Sequence, residues 1–133
     1  MCTHATFNGN IEMLKYARDH GCPWDHLRIC AGAAGNGHLH ILQYAHENGC
    51  DWNEWTCSEA AANGHMDALK YAHENSCPWD ERTCVEAAKH GHLHILQYAS
   101  QHGCPWGQAT HRAAQIHGQL KVLQYLEDHG CTE

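Results

Sequence analysis

The chain has 133 residues and a net charge of −7 when histidine is counted as neutral. Nucleic acids and anionic membrane surfaces are bound mainly through Lys and Arg, so this charge balance argues against both as partners. The sequence has no run of eighteen apolar residues, and we therefore expect no membrane-spanning helix.

The chain is built from a repeated unit. Tyrosines recur in steps of 28, 27, 27 and 27 residues, at Tyr16, Tyr44, Tyr71, Tyr98 and Tyr125. One set of cysteines keeps the same steps, at Cys22, Cys50, Cys77, Cys104 and Cys131. A fixed period of this kind indicates a repeat architecture. We divide the single predicted domain, residues 1–133, into repeats of roughly 1–24, 25–52, 53–79, 80–106 and 107–133.

The elements follow one order in each unit, and the fourth unit displays them most clearly. Asp80 is a good N-cap for a short first helix that breaks near Gly91. Apolar residues then recur every three or four positions, which predicts a longer amphipathic helix over 92–102 that ends at Gly103. Asn53 begins the same arrangement one unit earlier. Each unit is therefore a helix hairpin that buries its apolar face only by stacking on its neighbours.

Short turns join the predicted hairpins. Pro23, Pro78 and Pro105 each precede a tryptophan, and proline stiffens an extended turn. The tryptophans recur at a fixed phase, so we expect them to pack between units: Trp24, Trp52, Trp79 and Trp106.

The fourth unit resembles an ankyrin repeat. It contains the run Ala87-Ala88-Lys89-His90-Gly91-His92-Leu93-His94-Ile95-Leu96 and ends His102-Gly103-Cys104. Ankyrin units have two alanines before a Gly-His pair, then an apolar helix and a Gly-Ala end. The resemblance extends over the whole chain in five copies. Two features depart from it: the units are shorter than the usual length of about 33 residues, and Arg82-Thr83-Cys84-Val85 replaces the Thr-Pro-Leu-His signature.

The resemblance implies an all-α, ankyrin-like solenoid of about five stacked helix hairpins, with short Pro-Trp turns in place of β-hairpin fingers. The short unit is similar to those in arrays of protists and giant viruses, and the family implies a protein-interaction scaffold. Tetratricopeptide repeats are the alternative fold, but their period is about 34 residues and their Trp-Leu-Gly-Tyr spacing is missing.

Nine cysteines and fifteen histidines keep a second function open, that of a metal- or redox-responsive thiol protein. Structural zinc sites use cysteine pairs about two to four residues apart, and the sequence has none, so we expect no metal and no cofactor. Cys84 and Cys104 fall at core positions, where a thiol acts as a small apolar group. Only a loop cysteine and the next unit's helix cysteine, such as Cys77 and Cys84, are expected to approach disulfide distance. The odd cysteine count and the lack of a signal peptide indicate reduced thiols in the cytoplasm or nucleus.

The histidines follow the repeat as well. One set comes after the turn glycine, where the ring should hydrogen-bond loop backbone between stacked units: His38, His65 and His92. Another set lies at helix C-termini, where a histidine complements the helix dipole: His20, His102 and His129.

The sequence has no nucleophile elbow, phosphate-binding loop or carboxylate pair outside the repeat pattern, so we expect no enzyme. The family resemblance implies that the first helices line the concave side of the stack. Trp55 occurs there once, where the following units have Arg82 and Ala109, and tryptophan is common in binding hot spots. The predicted partner-binding residues are Glu54, Trp55, Glu59, Glu81, Arg82, Glu86, Lys89 and Arg112.

We expect these residues to form an acidic groove that binds a basic, extended or helical protein segment. The alternative is a solvated acidic surface without a partner, since surface charge is common. Polar capping units are not evident at either end, which predicts either a longer array or end-to-end self-association.

Overall fold

The computed structural model describes Lys15, Asp19, Gly21 and residues 26–49 and 51–129. Most of the first predicted unit lies outside the described residues, as do Cys50 and Cys131. The described ranges contain eight helices: α1 (His26–Gly35), α2 (Leu39–Glu47), α3 (Glu54–Ala62), α4 (Met66–Glu74), α5 (Glu81–Lys89), α6 (Leu93–Gln101), α7 (Gln108–Ile116) and α8 (Leu120–Asp128).

The helices form four consecutive hairpins. We call α1, α3, α5 and α7 the first helices and α2, α4, α6 and α8 the second helices. Each first helix packs against its own second helix, and α1, α3 and α5 each also pack against the first helix of the next hairpin. Residues 26–49 and 51–129 contain no strand, and short irregular segments at 77–80 and 104–107 join the later hairpins. The predicted all-α stack with short turns is confirmed.

Side-chain caps fix where the first helices begin. Asn53 Oδ1 accepts a hydrogen bond from the backbone N–H of Trp55 at 3.0 Å, and Asp80 Oδ1 accepts one from Arg82 at 3.0 Å. Both predicted N-caps are confirmed. Helix α6 lies within the predicted range and is followed by Gly103 at φ +87°. The prediction that the first helix is the shorter one is wrong, because α5 and α6 each have nine residues.

The core runs between the two rows of helices. Leu42, Leu69 and Leu96 of the second helices are completely buried, each at the same phase of its hairpin. They meet buried alanines of the first helices, at Ala60, Ala61, Ala87 and Ala88. Alanine lets neighbouring helices approach closely, and leucine fills the space behind it. The core is therefore one continuous layer shared by all four hairpins.

Aromatic side chains of the second helices and turns form a second repeating layer. We call His46, Trp52, Tyr71, His73, Trp79 and Tyr98 the aromatic ladder. Trp79 stacks on His73 with ring centroids 4.0 Å apart and meets Tyr98 of the next hairpin edge to face at 6.3 Å. Trp52 repeats this geometry on His46 and Tyr71, at 4.1 and 6.1 Å. The predicted packing of these two tryptophans between units is confirmed.

A histidine or glutamine of each later hairpin covers the turn glycine of the hairpin before it. We call these contacts the glycine seats: His65 over Gly37, His92 over Gly64 and Gln119 over Gly91. His92 Nε2 donates to the carbonyl of Ala62 at 3.2 Å, which confirms the predicted backbone bond for this histidine. Gln119 Nε2 donates to the Lys89 carbonyl at 3.0 Å, so an amide replaces the imidazole at the last seat.

The C-terminal histidines close the ends of second helices. His102 Nδ1 donates to the Tyr98 carbonyl and His129 Nδ1 to the Tyr125 carbonyl, both at 2.8 Å. Asn75 Nδ2 makes the equivalent bond to the Tyr71 carbonyl at 2.8 Å. Histidine and asparagine are therefore interchangeable caps at this position.

The cysteines pair differently from the prediction. Cys77 interacts with Cys57, and Cys84 interacts with Cys104. These interactions, together with burial, raise the pKa of the Cys77 and Cys84 thiols well above the usual range. The prediction named the wrong partner for Cys77. The turn brings this loop cysteine back to the first helix of its own hairpin and not to Cys84 of the next one.

Candidate partner-binding face

The first helices form a continuous row because each packs on the next. Their inward positions carry alanine, cysteine and threonine, and residues at the remaining phases reach solvent. We call this solvent-facing side of α1, α3, α5 and α7 the first-helix face. All eight predicted partner-binding residues lie on α3, α5 and α7.

A groove of about 220 Å³ opens on this face between α1 and α3. We call it the Trp55 groove, and it is lined by Ala31, Gly32, Gly35, Asn36, Trp55, Glu59 and Asn63. Two of the predicted residues, Trp55 and Glu59, therefore share one concave site. Among the described residues, Glu59 is the only charged one in this lining.

Trp55 and Glu59 lie one helical turn apart and are bonded to each other. The indole Nε1 of Trp55 donates to Glu59 Oε2 at 3.1 Å. Trp55 is nevertheless 40% exposed, so one part of its ring is available for contact. The arrangement fixes the carboxylate beside an accessible aromatic surface.

Glycines on α1 make the groove possible. A Cβ at Gly35 would lie 3.0 Å from Glu59 Oε1 and 3.3 Å from Glu59 Cβ, tighter than ordinary carbon contacts. Gly32 lies one turn earlier and leaves the space next to it open. The missing side chains on α1 therefore let Glu59 settle against the helix and expose the floor of the groove.

Asparagines close the C-terminal side of the groove. Asn36 Nδ2 donates to the Gly32 carbonyl at 2.8 Å, and Asn63 Nδ2 donates to the Glu59 carbonyl at 3.0 Å. Each carbonyl also accepts the backbone N–H of the same asparagine, so the side chain adds a second hydrogen bond at the helix end. The rim of the groove is thus held by the ends of α1 and α3.

The next hairpin presents different chemistry at the same phases. Arg82 replaces Trp55, and its Nη2 and Nε lie 3.1 and 3.3 Å from Asp80 Oδ2. Glu86 replaces Glu59, and its Oε1 lies 3.5 Å from His90 Nε2. The structure therefore pairs Arg82 and Glu86 with neighbours of their own hairpin and leaves the aromatic–carboxylate combination to α3.

The remaining predicted residues are spread along the face. Glu54 and Glu81 are half-buried on the first turns of α3 and α5. Lys89 is half-buried on the last turn of α5, and Arg112 is exposed on α7. None of these four lines the Trp55 groove.

The sequence prediction omitted the groove's other side. Gly32, Gly35, Asn36 and Asn63 line it but were not among the predicted binding residues. A signal was present, because two glycines three residues apart inside a helical pattern indicate close approach of a neighbour.

A second, larger groove of about 560 Å³ lies where first helices turn into second helices. It is lined by Gly64, Met66, Gly91, His92, Leu93, His94, Ile95 and Lys121.

In the described part of the chain, no group of three or more His, Cys, Asp or Glu side chains could hold a metal ion. None of the helices described is long and apolar enough to cross a membrane.

Comparison with known proteins identifies the fold. No family model and no curated protein matches the sequence. Among solved structures, the crystal structure of the human ASB11 ankyrin repeat domain matches with a TM-score of 0.80 and 15% sequence identity. The match covers 98% of this chain and 69% of that one. The chain therefore has the ankyrin-repeat fold, as the resemblance implied.

Proposed function

Since this ankyrin-repeat fold supports a protein-interaction scaffold, we propose that the chain binds a basic segment of a partner protein on its first-helix face. In this proposal the Trp55 groove receives one Lys or Arg side chain of that segment, and the rest of the segment lies along α3 and α5. The chain acts by binding and carries out no catalysis.

The observation that carries the proposal is the pairing of an exposed indole with a fixed carboxylate. The aliphatic part of a Lys or Arg side chain packs on an aromatic ring, and its cation is attracted to the ring face. Glu59 places a negative charge beside Trp55, with its second oxygen, Oε1, turned toward α1. A cation in the groove would therefore meet both the ring and the carboxylate.

The charges around the groove point the same way. Among the described residues, Glu59 is the groove's only charged lining residue, and Glu54 lies five residues before it, on the first turn of the same helix. Among the described side chains, the cation at the equivalent phase, Arg82, is directed to Asp80. The charges of the described side chains favour a cationic group over an acidic one.

Fluorescence anisotropy with two labelled peptides tests the proposal. One probe is a nine-residue Ala/Gly/Lys peptide with three lysines, and the other has norleucine at the same three positions. We expect the lysine peptide to bind more tightly and its affinity to fall with added salt. Trp55→Ala and Glu59→Gln should each weaken it about tenfold, from the loss of a cation–π contact or a charged hydrogen bond.

Glu47→Gln is the matched control. It removes the same charge at the exposed end of α2, outside the groove. If Glu47→Gln weakens binding as much as Glu59→Gln, the effect is general attraction to an acidic protein, and the proposed site is wrong. Equal affinity for the lysine and norleucine peptides would contradict the basic-segment proposal itself.

A further inference from the structure

Two cysteine pairs recur at the same place in consecutive hairpins. Cys57 of α3 interacts with Cys77 of the following turn, and Cys84 of α5 interacts with Cys104 of the next turn. The residues are twenty positions apart in both pairs, and all four side chains are at most 3% exposed.

Hydrogen bonds from the loop sulfurs to the backbone support this pairing independently. Cys77 Sγ donates to the Asn53 carbonyl at 3.4 Å, and Cys104 Sγ donates to the Asp80 carbonyl at 3.3 Å. Asn53 and Asp80 are the N-caps of α3 and α5, the helices that carry Cys57 and Cys84. Each loop sulfur therefore lies at the first turn of the helix that holds its partner.

We propose that Cys57 with Cys77, and Cys84 with Cys104, form reversible disulfides by exchange with a low-molecular-weight disulfide such as glutathione disulfide. The loop thiolate attacks one sulfur of glutathione disulfide, which forms a mixed disulfide and releases one glutathione thiolate. The helix thiolate then attacks the protein sulfur of the mixed disulfide and releases the second glutathione. The cysteine pair loses two electrons and two protons, and these reduce one glutathione disulfide to two glutathione molecules.

The exchange requires local opening of the turn. The four thiols are buried, so neither the oxidant nor a hydroxide ion reaches them in the closed fold. The turns that carry the loop cysteines are exposed around them, at Ser76 and Pro78 and at Gly103 and Pro105. Opening of such a turn exposes the loop thiol first and leaves the helix thiol ready to displace glutathione when the turn closes.

The closed disulfide joins the turn after the second helix to the first helix of the same hairpin. It constrains the unfolded chain and is expected to raise the thermal midpoint by about 5 °C or more when both pairs close. This inference concerns the core of each hairpin and does not depend on the proposed partner site.

Mass spectrometry of the full chain tests the pairing. The protein is incubated with excess glutathione disulfide at 37 °C, remaining thiols are blocked with N-ethylmaleimide, and the protein is digested without reductant. We expect peptides cross-linked between Cys57 and Cys77 and between Cys84 and Cys104, together with a rise in thermal midpoint that dithiothreitol reverses. Cys131 has His111 at the phase of its helix partner, so it should remain a glutathione adduct.

Cysteine variants provide the controls. In Cys57→Ala, Cys77 should end as a glutathione adduct while the Cys84–Cys104 cross-link still forms. If that variant does not fold, Cys104→Ala gives the reciprocal result, with an adduct at Cys84 and the Cys57–Cys77 cross-link intact. A Cys77–Cys84 cross-link overturns the proposal. So does the absence of both cross-links on a time scale at which N-ethylmaleimide alone labels the four cysteines.

Discussion

Trp55 and Trp79 lie on opposite sides of neighbouring hairpins and do different things. Trp79 belongs to the aromatic ladder, where His73 and Tyr98 hold its ring on two sides. Trp55 lies on the first-helix face, is 40% exposed, and contacts Glu59 through its indole N–H. Trp79 therefore packs between hairpins and stabilises the stack. Trp55 is held in place by one hydrogen bond, and part of its ring stays exposed to solvent.

The two regions differ because their side chains have different surroundings. Trp52 and Trp79 each contact a histidine and a tyrosine, at the same phase and with nearly the same geometry. A face residue contacts solvent, and its identity can change from Trp55 to Arg82 without disturbing the stack. Regularity therefore marks the stabilising side, and irregularity marks the solvent-facing side on which we propose that a partner binds.

The largest expected effect is the difference in stability lost when each of the two tryptophans is replaced by alanine. Trp79→Ala removes a stacked and an edge contact and should lower the free energy of unfolding by about 2 to 3 kcal/mol. Trp55→Ala should lower it by less than about 1 kcal/mol, because its ring is partly solvated and loses one hydrogen bond. Urea unfolding followed by circular dichroism measures both. Equal losses would contradict the division into a structural and a binding side.

A smaller effect is expected at the glycine seats. Gly64→Ala places a Cβ 2.9 Å from His92 Cε1 at a backbone with φ +76°. The His92 ring must shift and its bond to the Ala62 carbonyl weakens, so the cost should be about 2 kcal/mol.

Gly118 is the matched control for this substitution. Its φ is +65°, but no atom lies within 4 Å of the position that a Cβ would take. Gly118→Ala should therefore cost only the backbone term of about 1 kcal/mol. If the two variants unfold at the same urea concentration, the contact across the seat contributes nothing measurable.

The turn that follows α4 contains a residue in a strained backbone conformation, and a substitution should relieve the strain. Ser76 follows α4 at φ +70°, whereas Gly49 and Gly103 stand at this phase after α2 and α6. A non-glycine residue is strained in this conformation. Ser76→Gly should raise the free energy of unfolding by about 0.5 to 1 kcal/mol, read from the urea midpoint. Gly103→Ser is the reverse change and should lower it by a similar amount.

The repeat is the reason that much of the fold could be predicted from the sequence. Asn53, Asp80 and Gly103 recur at fixed phases, so helix limits and stacking order followed from the period and from local capping chemistry. The exposure of Trp55 could also be predicted, because no other unit has a tryptophan at this phase.

The parts that the sequence did not predict depend on how hairpins fold back. Cys77 is closer in sequence to Cys84 than to Cys57, and only the path of the turn brings it to its own first helix. The floor of the Trp55 groove depends on Gly35, whose effect arises from the side chain of another hairpin. Short-range patterns can signal that a neighbour approaches, as the two glycines of α1 do, but they do not identify which side chain of another element makes the contact.

The smallest effect concerns protonation in the ladder. Burial, and then the nearby His102, lower the pKa of His73 below its usual value, while Glu74 acts weakly in the opposite direction. The folded protein therefore binds fewer protons at His73 than the unfolded chain does. The contribution of neutral His73 is complete above about pH 6.5 and is lost as the pH falls through the lowered folded pKa.

Replacement of His73 by phenylalanine tests this sign. His73→Phe keeps a flat ring against Trp79 but cannot take up a proton, so stability should fall less between pH 8 and about pH 5 than in the parent chain. The difference should be a few tenths of a kcal/mol, because water screens this partly exposed ring. His102→Asn, which keeps a cap of the Asn75 type, should remove the part of the shift that comes from the second imidazole. A His73→Phe variant with the parent's full pH dependence would mean that the ladder histidine is as easily protonated in the folded state as in the unfolded one.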